Sequence, residues 1–88
     1  MAHNVMLINR KDNVGVALFD IGKGEKILLS TGAELDAVQD IPYSHKVALR
    51  EIRTGEPVFK YGEIIGHARS DIGPGAWVHT HNLQTLEL

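Results

Sequence analysis

Eighty-eight residues, 43% hydrophobic and 23% charged, make one small globular domain (residues 1–88) and are too apolar for a disordered chain. Nine Lys and Arg against 11 Asp and Glu leave a formal net charge of −2, which argues against a nucleic-acid partner, since a phosphate-binding surface carries a basic excess. With no cysteine, disulfides, thiolate metal ligands and a cysteine nucleophile are all excluded.

At the amino terminus only Val5-Met6-Leu7-Ile8 is continuously apolar before Asn9-Arg10-Lys11-Asp12. A secretory core needs roughly 7–15 apolar residues and a membrane helix about 20, so a cytoplasmic chain without membrane contact is expected. Val14-Gly15-Val16-Ala17-Leu18 reads as the first clear strand, and Lys26-Ile27-Leu28-Leu29 as a second that ends at the Thr31-Gly32 turn. Ala33 to Ile41 contains good helix formers, with Leu35 and Val38 at i, i+3, yet Pro42 disfavours helical geometry at Ile41. A short helix and an extended connector both remain open there. Lys46-Val47-Ala48-Leu49-Arg50 follows, then Val58-Phe59-Lys60-Tyr61 running through a Tyr61-Gly62-Glu63 hairpin turn into Glu63-Ile64-Ile65-Gly66-His67-Ala68. The last strand is expected over Trp77-Val78-His79-Thr80-His81. The whole predicts a mainly β domain of short strands and glycine turns, with at most one short helix.

Between these strands a pattern recurs: an acid, Ile, two residues, then Gly. It occurs at Asp20-Ile21-Gly22-Lys23-Gly24, Glu51-Ile52-Arg53-Thr54-Gly55 and Asp71-Ile72-Gly73-Pro74-Gly75. The unequal intervals exclude a solenoid of fixed period. Each unit predicts a corner in which Ile points inward and Gly takes a positive φ before the next strand leaves.

Chemistry must come from the five histidines, the carboxylates, Lys46 and the two tyrosines. His79-Thr80-His81-Asn82 is the strongest group. Strand alternation would put His79 and His81 on one face, about 6–7 Å apart, able to hold a divalent cation or an anionic substrate. Two imidazoles do not close a metal site, so a further ligand would come from elsewhere. Tyr43-Ser44-His45-Lys46, in a loop after Pro42, sets an imidazole beside an ammonium group, which suits a base at His45. Lys46, Arg50 and Arg53 add local positive charge for a carboxylate or sulfonate. His3 and His67 stand singly, and no glycine-rich nucleotide-binding pattern occurs.

Three segments taken together resemble the amino-terminal SAF (β-clip) domain of the altronate/galactarate dehydratase family. They are Ile41-Pro42-Tyr43-Ser44-His45-Lys46-Val47-Ala48-Leu49, Pro57-Val58-Phe59-Lys60-Tyr61-Gly62-Glu63-Ile64-Ile65-Gly66 and Gly75-Ala76-Trp77-Val78-His79-Thr80-His81-Asn82-Leu83. The opening Ile8-Asn9-Arg10-Lys11-Asp12-Asn13-Val14 and the corners agree, while Ser44 departs from the glycine expected before His-Lys. The resemblance implies a small subunit of a metal-dependent hydroxy-acid lyase, a hydro-lyase inactive alone, that helps a large catalytic dehydratase subunit dehydrate a sugar acid such as altronate. In such a reaction a proton leaves the carbon next to the carboxylate, and hydroxide or sulfite leaves the adjacent carbon. The alternatives are the alpha subunit of a sulfolactate sulfo-lyase and a non-catalytic sugar-acid-binding module. It further implies a divalent metal, Fe(II) or Mn(II), held mainly by the large subunit. On this chain it points to His45 and Lys46 as catalytic, to His79, His81 and Asn82 as substrate-binding, and to His79 and His81 as metal ligands. Self-association into a homo-oligomer stays open.

Overall fold

A computed structural model describes residues 3–86. Nine short strands run in the order β1 (Val5–Met6), β2 (Val14–Ala17), β3 (Lys26–Leu28), β4 (Glu34–Asp36), β5 (Lys46–Ala48), β6 (Pro57–Lys60), β7 (Glu63–Ala68), β8 (Trp77–Val78) and β9 (Leu83–Thr85). They form three antiparallel sheets: β1-β2-β5-β8, β3-β4 and β6-β7-β9. The described residues contain no helix, and so none that could cross a membrane. The architecture is the small β domain expected. The open stretch at 33–41 is an extended connector whose residues Glu34–Asp36 form strand β4: Leu35 pairs with Ile27, and Ala37 turns into the core. An isolated helix of that length is marginal in water, so a partner strand decides the matter. At the β6–β7 hairpin Tyr61 (φ 57°) and Gly62 (φ 76°) both take positive φ, the two-residue turn that matches strand twist.

The corners number four, in two pairs. Ile21 and Ile41 exchange backbone hydrogen bonds of 2.9 and 2.7 Å, and Ile52 and Ile72 do the same at 2.9 and 2.7 Å. Each member of the first pair precedes its counterpart by 31 residues. The fourth corner, Asp40-Ile41-Pro42-Tyr43-Ser44, lacks the glycine that marks the others, yet Ser44 holds φ 68° where Gly24, Gly55 and Gly75 hold 90°, 85° and 83°. The same offset relates the surrounding bonds. Gly24 N–H donates to Ala37 O as Gly55 N–H does to Ala68 O, and Ser44 N–H donates to Ala17 O as Gly75 N–H does to Ala48 O. The backbone pattern thus repeats at an offset of 31 residues, 14–44 matching 45–75.

The matched positions divide between two core clusters. Ala17, Ile21, Ile27, Ala37, Ile41 and Val47 lie in one cluster, and their counterparts Ala48, Ile52, Val58, Ala68, Ile72 and Val78 lie in the other. Three asparagines clamp strand backbones in one manner. Asn4 donates to Lys26 O (2.9 Å) and accepts from Leu28 N–H (2.7 Å). Asn13 does so with Pro57 O and Phe59 N–H (2.9 and 2.7 Å). Asn82 does so with Trp77 O and His79 N–H (2.9 and 2.9 Å). Buried Asp12 accepts from Tyr61 and Gly62 N–H, tying the hairpin tip to the first loop.

Candidate functional site

The site follows from the way the two repeats meet. β5 leaves the Ser44 corner and β8 leaves the Gly75 corner, and they pair antiparallel with Lys46 opposite Val78 and Val47 opposite Trp77. That register brings His45, just before β5, against His79, just after β8, with ring centroids 5.0 Å apart. Trp77 is the diagonal neighbour of His45, within reach of a large side chain. Its indole N–H donates to Nδ1 of His45 at 3.0 Å. Gln39 Oε1 accepts from the Trp77 backbone N–H (3.0 Å), so a side chain satisfies the exposed edge of β8.

The strand expected over 77–81 ends at Val78. Asn82 and Leu83 N–H both donate to His79 O (3.1 and 2.9 Å), curling the chain into a turn, and the Asn82 side chain locks it. The common face expected for His79 and His81 from strand alternation therefore does not form. The two imidazoles meet the Trp77 ring instead: His79 stacks on it at 5.3 Å and 8°, and His81 lies tilted at 5.2 Å. Asn82, expected as a substrate contact, is buried, with its amide bonded to backbone. Trp77 had no assigned role in the sequence reading. Its alternation with His79 on a strand was the available signal, and its contact with His45, 32 residues away, was not.

Ser44, His45, Lys46, Val78 and His79 line an open hollow of about 210 Å³. His45 and Lys46 are half-buried there, while His79 and His81 are exposed. Burial, and secondarily the charge of Lys60, holds the Lys46 ammonium below its ordinary value of 10.5. Among the described residues no carboxylate pairs with it: the two ion pairs are Lys26–Asp36 (2.8 Å) and Arg53–Glu51 (3.3 Å). Arg53 is thereby committed, and Arg50 donates to Lys11 O (3.2 Å), so Lys46 is the cation of the hollow. His67 projects from β7 into solvent, and His3 borders a separate depression beside β3 and β4.

No group of three or more His, Cys, Asp or Glu among the described residues is arranged to hold a metal ion. A resident divalent ion takes at least three protein ligands in the usual catalytic site. The imidazoles here pack on an indole, and one has its Nδ1 occupied by the indole N–H. These residues do not fit a metal by themselves.

Residues 3–86 match the altronate/galactarate dehydratase SAF domain. The chain belongs to this family. An altronate dehydratase of Bacillus subtilis (strain 168) is 44% identical over 78 residues, 89% of this chain and 16% of that protein. A galactarate dehydratase (L-threo-forming) of Escherichia coli (strain K12) is 35% identical over 71 residues, 81% of this chain and 13% of that protein. A (2R)-sulfolactate sulfo-lyase subunit alpha of Paracoccus pantotrophus is 49% identical over 51 residues, 58% of this chain and 76% of that subunit. This SAF domain thus spans about one sixth of the altronate dehydratase it matches.

Proposed function

We propose that this chain is the SAF component of a hydroxy-acid lyase. In this reading it presents His45, Lys46 and His79 to a substrate site completed by a large catalytic dehydratase module, either covalently joined to it or as a separate cytoplasmic subunit. The observation that carries the proposal is the hollow between β5 and β8, where a half-buried ammonium without a carboxylate partner sits beside two imidazoles. A carboxylate or sulfonate substrate suits that cation, and the imidazoles suit the hydroxyl or sulfo group on the neighbouring carbon. Asn82 serves by shaping the turn that carries His79. Any divalent Lewis acid would be held by the catalytic module.

The test is reconstitution with a large dehydratase chain, followed by turnover of altronate, galactarate and sulfolactate. His45→Ala and His79→Ala should each lower kcat/KM by about 10²-fold, the usual size for a lost polar group at a reacting centre, with folding retained. Turnover by the isolated chain, or full turnover of the reconstituted double variant, would overturn the reading. A second reading, the alpha component of a sulfo-lyase, is favoured by the share of the Paracoccus pantotrophus subunit that the match covers. Sulfite release from sulfolactate, with no dehydration of the sugar acids, would select it.

A further inference from the structure

The bond between Trp77 and His45 has a chemical consequence for the imidazole. Indole nitrogen is a donor only, because its lone pair belongs to the ring. The atom 3.0 Å from it, His45 Nδ1, must therefore offer a lone pair. A neutral imidazole has one protonated and one bare nitrogen, so with Nδ1 bare the proton resides on Nε2. Protonation of Nδ1 would set two N–H groups against each other and break the bond. No hydrogen bond among the described residues uses Nε2, and His45 lines the hollow.

We infer that Trp77 is a positioning residue that locks neutral His45 with its proton on Nε2, so that this imidazole offers a hydrogen-bond donor to a bound anion or leaving oxygen. The sequence alone suited His45 to a base; with both nitrogens so assigned it has no free lone pair in its neutral form. His45 acts by hydrogen bonding and keeps its proton, since surrendering it would leave an imidazolate. In the elimination, the proton next to the carboxylate is then taken by another group, and its electron pair forms the double bond as the leaving group departs. The stacked His79 and the clamped turn hold the indole plane in place, so the direction of its N–H is set by packing as well as by the bond. The donor role rests on the lyase reading of the hollow; the tautomer lock does not.

Trp77 is the only tryptophan in the chain, so residue-wide replacement by benzothienylalanine changes this position alone and exchanges the N–H for sulfur in a ring of nearly the same shape. Long-range proton–nitrogen correlation spectra of the 15N-labelled 88-residue chain, at a pH where imidazole is neutral, read the tautomer of His45 directly. The native chain should show the Nε2–H form alone. The benzothienyl protein and Trp77→Phe should each show a measurable Nδ1–H population. A native His45 protonated on Nδ1, or an unchanged pattern in both variants, overturns the lock. In the reconstituted lyase, Trp77→Phe should lower kcat about tenfold with little change in KM, as expected when a supporting contact of a site residue is lost. An altered tautomer with unaltered turnover upholds the lock and overturns the donor role at a lyase site.

Discussion

In residues 14–44 the corner acids are reciprocal: Asp20 accepts from Tyr43 N–H and Asp40 accepts from Lys23 N–H, both at 2.8 Å. In residues 45–75 only half of this is present. Asp71 accepts from the N–H and hydroxyl of Thr54, but Pro74 has no N–H to give, and Glu51 pairs with Arg53. The two repeats thus share backbone bonds and core positions while their side-chain contacts differ. They differ also where the corners lead into β5 and β8. Ser44-His45-Lys46 in one corresponds to Gly75-Ala76-Trp77 in the other, and antiparallel pairing of β5 with β8 brings the unlike sets together. The Ser44 and Gly75 corners lead out alike, and the candidate site lies where the side chains that follow them differ.

The largest contrast between corners is at the glycines. A Cβ at Gly75 would collide with the backbone oxygen of Asp36, whereas Gly24 faces open space. Gly75→Ala should cost more than about 3 kcal/mol, and Gly24→Ala only the left-handed strain of about 1 kcal/mol. Chemical denaturation reads both, and equal losses would contradict the packing difference. Next come the matched core isoleucines, 2% and 1% exposed. Ile21→Ala and Ile52→Ala should each cost about 3 kcal/mol, with Ile→Val near 1 kcal/mol if the larger cavity prevents folding. A twofold disparity in urea unfolding would show that one core dominates.

The clamps sharpen the comparison further. Asn82→Ala should cost about 2 kcal/mol by leaving part-buried backbone groups of Trp77 and His79 without partners. Asn4→Ala, on a more exposed strand, should cost about 1 kcal/mol. Only the former should move the His79 resonances. Ser44→Gly should stabilise by about 0.5 kcal/mol, because relief of positive φ slightly exceeds the added freedom of the unfolded chain. A loss on thermal melting would mean that the Ser44 side chain holds the corner.

The smallest effect concerns pH. Lys46 is held below its ordinary value of 10.5 mainly by burial, so the folded chain binds this proton more weakly than the unfolded one. Its unfavourable contribution is present below the folded value and fades as pH rises through it. Stability measured against Lys46→Met should therefore rise with pH in the interval just under 10.5. Lys60→Gln should bring the Lys46 titration, followed by side-chain NMR, closer to that ordinary value, since Lys60 is the second cause of the shift.

Three of the four corners were legible as acid-Ile-x-x-Gly because glycine announces a positive φ locally. The fourth was hidden, since Ser44 adopts that φ under tertiary constraint. His45 and Lys46 were legible as a titratable pair in a loop, and His79 and His81 as a short motif. The arrangement of the two latter imidazoles was not. Strand alternation depends on the strand continuing, and Asn82 ends it through bonds that only the folded chain makes.

By itself the sequence determined the β class, the positions of most turns, the family and the residue types available for chemistry, because all of these rest on near-neighbour spacing and local φ preferences. The tertiary structure decided that the stretch at 33–41 is extended, with Glu34–Asp36 paired as strand, that the corners form two couples 31 residues apart, and that Trp77 sits among three imidazoles. Those outcomes depend on which strand lies beside which, and contacts between residues 45 and 77 acquire their geometry only when β5 and β8 close their register.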